Sequence, residues 1–338
     1  MNCEYKNAIL FPQNEGITVL SLFDGISCGM VALERAGIPV EKYIAYEIEP
    51  NAIKISKKNF PQIEHCGDVT TADFTKHKGF DLLIGGSPCQ SWSIAKKNRE
   101  VTTDGIGGQL FMHYVRALQE SGCKYFLYEN NYSIHKNIKA FISEQLGVEP
   151  IMINSALVSA QQRKRCYWTN IPNITQPQDK RILLKDIIES GIAWQDKSYA
   201  YTTRCQGATF EDTLKRHRHT MIAEPIRIGE YGKGVQSQRI YSVMGKSVCL
   251  FANGDSAGAK TGLYKIDLPD GDYIFRKLTP VEAERAQTLP DNYTEGISNT
   301  QRYKCIGNGW TVDVIAHIFK YLWVCNSSSY RQVKEVSK

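Results

Sequence analysis

Long apolar runs are missing from this chain, and no stretch has the length and apolarity needed to cross a bilayer. The segment Met1-Asn2-Cys3-Glu4-Tyr5-Lys6 lacks a basic region followed by an apolar one, so no secretory signal is expected and the cytosol is the expected location. Closely spaced cysteines are missing too. The ten cysteines stand singly at 3, 28, 66, 89, 123, 166, 205, 249, 305 and 325, which excludes the short spacings of a structural zinc site, and no metal is expected. A chain of 338 residues needs no disulfide staples. Reduced thiols, most of them acting as small buried hydrophobes, are therefore the default. Fixed-period repeats and low-complexity tracts are absent as well, which excludes solenoids and disordered arrays.

What remains is the composition of a soluble globular protein, 42% apolar and 22% charged, long enough for one large domain and a smaller lobe. Net charge of +6 and a pI near 8.7 point weakly to a polyanionic partner. The cluster Lys215-Arg216-His217-Arg218-His219 points the same way, although such a run on its own reads as a solvated surface.

The first half alternates strand-like and helix-like segments. Strands are predicted at Ile17 to Phe23, Tyr43 to Ile48, Phe80 to Ile84, Tyr125 to Tyr128, Ile151 to Val158 and Arg165 to Thr169. Helices are predicted from Met30 to a stop at Gly37, from Pro50 onward, over Gln109 to Glu120, and around Ile138, Phe141, Ile142 and Leu146. This alternation implies an α/β fold with a mostly parallel sheet covered on both faces and ligands at the carboxyl ends of its strands. From about Ile171 the texture changes to a glycine-rich, loop-rich, partly β lobe. Thr279-Pro280-Val281-Glu282 is a capping box that starts a helix, and a last helix is predicted from about Thr311 to Val324. The expected division is 1–170, 171–275 and 276–338, the last part returning to the first domain.

Chemistry-bearing residues fall at successive strand ends. Phe23-Asp24-Gly25-Ile26-Ser27-Cys28-Gly29 forms a glycine turn between a strand and a helix, without the G-x-G-x-x-G spacing of a dinucleotide site. Glu47 ends the next strand, where a carboxylate takes ribose hydroxyls, and Asp68 in Gly67-Asp68-Val69 can accept from an adenine amino group. These residues suit an adenosine-bearing ligand and leave NAD, FAD and S-adenosylmethionine undistinguished. Cys89 follows Gly85-Gly86-Ser87-Pro88, a place where a thiol becomes a nucleophilic thiolate if it lies near a helix N-terminus. Glu129 follows a strand as a candidate acid. Arg163 and Arg165 alternate, so in an extended segment both guanidinium groups would face one side and suit phosphate oxygens. Each of these alone reads as packing, a turn or surface; their order along the chain carries the argument.

The ordered set Phe23-Asp24-Gly25 through Gly29, Glu47, Asp68, Pro88-Cys89-Gln90, Glu129-Asn130, Gln161-x-Arg163-x-Arg165, Arg276-Lys277-Leu278-Thr279 through Pro290 and Gly307-Asn308-Gly309 resembles the cytosine-5 DNA methyltransferase family. Phe23-Asp24-Gly25-Ile26 and Trp310 are similar to the catalytic domains of mammalian de novo DNA methyltransferases. The small size resembles a prokaryotic or phage modification enzyme. The family commonly has glycine where Ser27 or Cys28 stands, and valine where Asn131 stands. The resemblance implies a Rossmann-like, S-adenosylmethionine-dependent domain with a smaller target-recognition lobe. It implies Cys89 as nucleophile, Glu129 as partner of the cytosine N3, and Arg163 and Arg165 as holders of the target cytidine. Around S-adenosylmethionine it implies Phe23, Asp24, Gly25, Ile26, Gly29, Glu47, Ile48, Asp68, Val69, Pro88, Asn308, Gly309 and Trp310. Double-stranded DNA is the implied partner, touched by Ser91, Gln161, Arg227, Lys233 and Arg239, with no membrane and no obligatory protein partner. The location implied is the cytoplasm of a prokaryotic or phage-infected cell. Methylation of tRNA by the same chemistry, a catalytically dead DNA-binding regulator, and transfer of a larger group from another donor are the alternatives.

Overall fold

The computed structural model describes residues 16–88, 92, 104–189 and 279–322, and the backbone of 227–230, 239–242, 263–267 and 273–276. The chain divides into two compact units. The first comprises Met1–Ile153, Lys164–Gln176 and Val312–Lys338; the second comprises Asn154–Arg163 and Pro177–Thr311.

The first unit is built on β1 (Ile17–Leu22), β2 (Val40–Tyr46), β3 (Glu64–His65), β4 (Leu82–Gly85), β5 (Tyr125–Asn131), β6 (Ile151–Asn154) and β7 (Lys164–Thr169), in sheet order β3-β2-β1-β4-β5-β7-β6. Strands β1 to β5 pair in parallel. Strand order reverses between β1 and β4, so their carboxyl ends flank the crevice where ligands of doubly wound sheets bind. β7 runs antiparallel to β5. Only residues 155–163 join β6 to β7, too few for the crossover that a parallel return requires.

Local sequence explains the elements. α1 (Cys28–Ala36) stops at Gly37, whose φ of 73° only glycine adopts without penalty. α2 (Pro50–Asn59) begins on Pro50, where the missing N–H has no helical partner to lose. α3 (Ile106–Ser121) buries Phe111, Tyr114 and Val115, and α4 (Lys136–Leu146) buries Ile138, Ile142 and Leu146. Leu20, Leu22, Leu83 and Ile84 are fully buried, each stabilising the fold by about 1.5–3 kcal/mol. At the end of β4 a Cβ on Gly85 would stand 2.7 Å from the Leu22 carbonyl oxygen and 3.1 Å from the Tyr114 ring, so glycine is the residue that lets helix and sheet close. The expected strand Ile151 to Val158 stops early, at Asn154. The Asn154 side chain accepts from the Ala156 N–H at 3.2 Å and the Arg163 N–H at 3.1 Å, turning the chain into a short 3₁₀ segment, Ser155–Leu157.

In the second unit, α5 (Pro280–Ala286) opens with the expected box. The Glu282 N–H donates to the Thr279 hydroxyl, and Glu282 accepts from the Thr279 N–H at 2.8 Å. α6 (Asn299–Asn308) follows. A four-stranded sheet of order β11-β10-β9-β8 is formed by β8 (Arg227–Glu230), β9 (Arg239–Ser242), β10 (Leu263–Asp267) and β11 (Tyr273–Arg276). The last helix, α7, spans 312–322 and belongs to the first unit.

Candidate active site

The turn after β1 is shaped by backbone in the left-handed region at Phe23 (φ 56°), Gly25 (φ 61°) and Ser27 (φ 60°). Asp24 holds it. Its carboxylate accepts from the hydroxyls of Ser21 (2.6 Å), Ser27 (2.5 Å) and Tyr43 (2.6 Å). Burial raises the Asp24 pKa, opposed by those three hydrogen bonds. The Glu47 carboxylate, just past β2, accepts from the N–H groups of Gly25, Ile48 and Glu49, each at 2.8 Å. Three backbone donors fix its orientation, and two oxygens with four lone pairs keep room for a hydroxyl donor. Ile48 beside it is 68% exposed, an apolar surface without cover. Asp68 is exposed, with its carboxylate turned onto the Thr70 N–H at 2.8 Å. Arg116 of α3 ties down the neighbouring loop by donating to the carbonyls of Val69 and Ala72, both at 3.0 Å. Ile26, Gly29 and Val69 are buried, while Phe23 is partly exposed and Pro88 exposed. A fixed carboxylate, an uncovered aliphatic side chain and a second carboxylate after the third strand fit the ribose and adenine of an adenosine ligand.

At the end of β5, Glu129 pairs with Arg165 of β7 (Oε1 to Nε, 2.8 Å), each side chain 12% exposed. One residue before Glu129, the Tyr128 hydroxyl lies 2.6 Å from the Ser87 hydroxyl, in the turn after β4, and accepts from the Asn130 amide at 3.2 Å. Sequence reasoning missed Tyr128 and Arg116 as contributors. Ser87 lay within a motif already singled out, but its partner is 41 residues away.

In the second unit, Arg163 is 5% exposed and donates to the carbonyls of Gly307 (3.1 Å) and Gly309 (3.0 Å). Gln161 is fully buried and donates to the Ala286 carbonyl at 3.2 Å. Gln287 adds bonds to the carbonyls of Ile306 (2.9 Å) and Gly309 (3.3 Å). Arg163 and Gln287 together clamp the Gly307-Asn308-Gly309 segment, in which Asn308 is exposed, and the following Trp310 is partly exposed. Arg163 immediately precedes β7 and Arg165 lies within it. Cys89, Ser91 and Lys233 lie outside the described residues, and of Arg227 and Arg239 the backbone alone is described, in β8 and β9. Cys28, Cys123, Cys166 and Cys305 are buried and stand outside any disulfide, as expected of small hydrophobes. Burial pushes the Cys123 thiol up to about 11 and raises Cys166.

The doubly wound sheet is the Rossmann-like fold of S-adenosylmethionine-dependent methyltransferases. The structure of the methyltransferase EhMeth from Entamoeba histolytica superposes with a TM-score of 0.64 at 17% identity, covering 92% of this chain and 98% of that one. Residues 17–323 match the model of the C-5 cytosine-specific DNA methylase family, and the chain belongs to that family. Among its relatives are the type II methyltransferase M.HhaI of Haemophilus parahaemolyticus, 27% identical over 90% of this chain and 94% of that protein, and the orphan methyltransferase M.SPRI of Bacillus phage SPR, 24% identical over 90% and 97%. The enzyme class expected from the motifs is thus the class found. No helix among the described residues is long and apolar enough to cross a membrane.

Proposed function

We propose that this chain transfers a methyl group from S-adenosylmethionine to carbon 5 of a cytosine flipped out of a specific duplex DNA sequence, through a covalent adduct on Cys89. The observation that carries the reading is Glu129, held by Arg165 at the end of β5, one strand across from the turn that leads to Cys89. S-adenosylmethionine would supply an electrophilic methyl group. Glu47, Ile48 and Asp68 would hold its adenosine, with Phe23, Gly25, Pro88, Asn308 and Trp310 around it. The target carbon lies inside a stacked duplex, so the base must leave the helix to react.

The Cys89 thiolate forms a bond to carbon 6, and the displaced electron pair moves toward carbon 5 and N3. A proton shared between the Glu129 carboxyl and N3 neutralises that charge. Carbon 5 would take the methyl group, leaving S-adenosylhomocysteine. The carbon-5 proton then passes to a base, the electron pair of that bond expels the thiolate, and the N3 proton returns to Glu129. Arg165 orients Glu129, while Arg163 and Gln287 brace the segment bearing Asn308. Residues 171–275 would form the target-recognition lobe, where Ser91 from the catalytic part and Arg227, Lys233 and Arg239 would meet phosphates and base edges. A cytoplasmic location in a prokaryotic or phage-infected cell follows from this role.

A pool of duplexes carrying 5-fluorocytosine tests the reading, because fluorine cannot leave as a proton and the adduct is trapped. With S-adenosylmethionine present, a covalent complex on the peptide containing Cys89 is expected, and Cys89→Ala should give none. Absence of any complex from the unaltered enzyme on a varied pool overturns the proposal.

A further inference from the structure

The Tyr128 hydroxyl sits in a position that the reaction scheme does not use. Its ring is locked among Phe111, Tyr114 and Trp168, with centroids 5.0, 4.9 and 5.9 Å away. β4 and β5 pair so that Gly85 stands opposite Tyr128, and the hydroxyl reaches past the end of β4 to Ser87. Ser87, Tyr128 and Asn130 are 4%, 0% and 2% exposed, so no water competes for these bonds. Asn130 completes the arrangement. Its carbonyl oxygen accepts from the Asn131 N–H at 2.8 Å, which turns its amide nitrogen onto the phenol oxygen at 3.2 Å. The other side of that oxygen is shared with the Ser87 hydroxyl, and either hydroxyl can donate. Burial raises the Tyr128 pKa strongly, against its hydrogen bonds with Ser87 and Asn130, so the proton stays on the oxygen throughout the working pH range.

Ser87 lies two residues before Cys89, and Tyr128 and Asn130 flank Glu129. We infer that Tyr128 is a positioning residue: its hydroxyl ties the turn leading to the nucleophile to the strand end bearing the acid, and so sets the register between them. The inference rests on the proposed function and deepens it. Removing the oxygen alone should leave the aromatic packing in place while freeing the turn. Misplacement of reacting groups by about 1 Å is enough to slow a reaction up to a hundredfold.

The test compares Tyr128→Phe, Ser87→Ala and the double variant with the unaltered enzyme. Single-turnover methyl transfer, the rate of adduct formation on a 5-fluorocytosine duplex, and the dissociation constants for S-adenosylmethionine and DNA are measured. Each single variant is expected to slow both rates about tenfold with both dissociation constants unchanged. The double variant is expected to be no slower than either single one, because all three break the same contact. Melting temperature is followed in parallel. A merely structural role would lower it without producing shared, non-additive losses in the two rates. If Tyr128→Phe does not fold, Ser87→Ala reads the same contact. Unchanged rates in a folded variant, or additive losses, overturn this inference alone. Absence of any adduct with the unaltered enzyme overturns it together with the function on which it rests.

Discussion

The two compact units are held together by different chemistry. In the first, the sheet and its helices bury Leu20, Leu22, Leu83, Phe111, Tyr114 and Trp168 in one apolar core. In the second, the apolar cluster among the described residues is small, built from Ala160, Leu184, Ile187, Ala283, Ala286 and Ile306. Around it Glu282, Glu284, Gln287, Gln161 and Thr294 are each 0% exposed, so hydrogen bonds must satisfy groups that water cannot reach. An apolar core tolerates change in proportion to the volume lost. A buried polar network fails at the first missing partner.

The sharpest way to break this contrast is at Glu284. One of its carboxylate oxygens accepts from the Thr294 N–H at 2.8 Å, from the Thr294 hydroxyl, and from Arg302 at 2.9 Å. Glu284→Ala strands a guanidinium that is 11% exposed and a buried N–H. The expected loss is about 3–5 kcal/mol by urea denaturation. Adding Arg302→Leu should recover part of it, since the uncompensated charge is gone. A double variant as unstable as Glu284→Ala would show that pairing is not what this unit depends on.

Next in size is Leu83→Ala in the first unit. Leu83 is fully buried in the middle of β4. Its loss should cost about 2–5 kcal/mol, scaling with the cavity left behind. Leu83→Met, which keeps volume, should cost under about 1.5 kcal/mol. If Leu83→Met were as damaging as Leu83→Ala, the apolar account of the first unit would be wrong.

Acid should also separate the units. Burial, followed by the nearby Lys42 charge, lowers the pKa of His77, whose ring meets Tyr46 and Phe80 edge-on. Burial likewise lowers His65 and His113, all in the first unit. A histidine depressed in the folded state contributes stability that is present above its unfolded value, about 6.5, and is lost as pH falls through the folded value. Protection factors from hydrogen exchange, corrected for the slower intrinsic exchange in acid, should therefore fall in β1 and β2 before they do in α5 and α6 as pH drops from about 7.5 to about 5.5. His77→Gln should flatten the response. An equal fall in both units would remove histidine as the cause.

Legibility from sequence follows the same divide. The helix stop at Gly37, Pro50 at the start of α2 and the Thr279–Glu282 box were readable because their causes lie within a few residues. The positions of Glu47 and Glu129 at strand ends were readable because apolar runs mark where strands stop. The long-range contacts in the neighbouring turns were not. Ser87 and Tyr128 are 41 residues apart, and Arg116 and Val69 are 47 apart. The arginine motif shows the limit too. Nothing in the alternation of Arg163 and Arg165 signals that Arg163 donates to the carbonyls of Gly307 and Gly309, 144 and 146 residues away.

The smallest effect lies at Ser27, where local strain and a buried polar network meet inside the apolar unit. The resemblance places glycine at 27 or 28, and the structure explains the preference, since Ser27 has φ 60° and ψ 39°. A non-glycine residue there costs about 1–2 kcal/mol. Ser27 offsets that cost with its hydroxyl, which donates to Asp24 at 2.5 Å and lies 2.6 Å from the Ser56 hydroxyl, itself 3.1 Å from His65 Nε2. Ser27→Ala keeps the strain and loses the hydroxyl, so a net loss of about 1–3 kcal/mol is expected from the hydrogen bond to a carboxylate. Ser27→Gly loses the same hydroxyl but relieves the strain. It should be more stable than Ser27→Ala by about 1 kcal/mol, as the lower cost of the left-handed region for glycine dictates. The difference between the two variants cancels the hydrogen-bond loss they share and isolates the backbone contribution. Equal stability would mean that the turn relaxes around alanine, and that Asp24 with its remaining donors Ser21 and Tyr43, rather than the backbone at 27, sets the shape of the loop after β1.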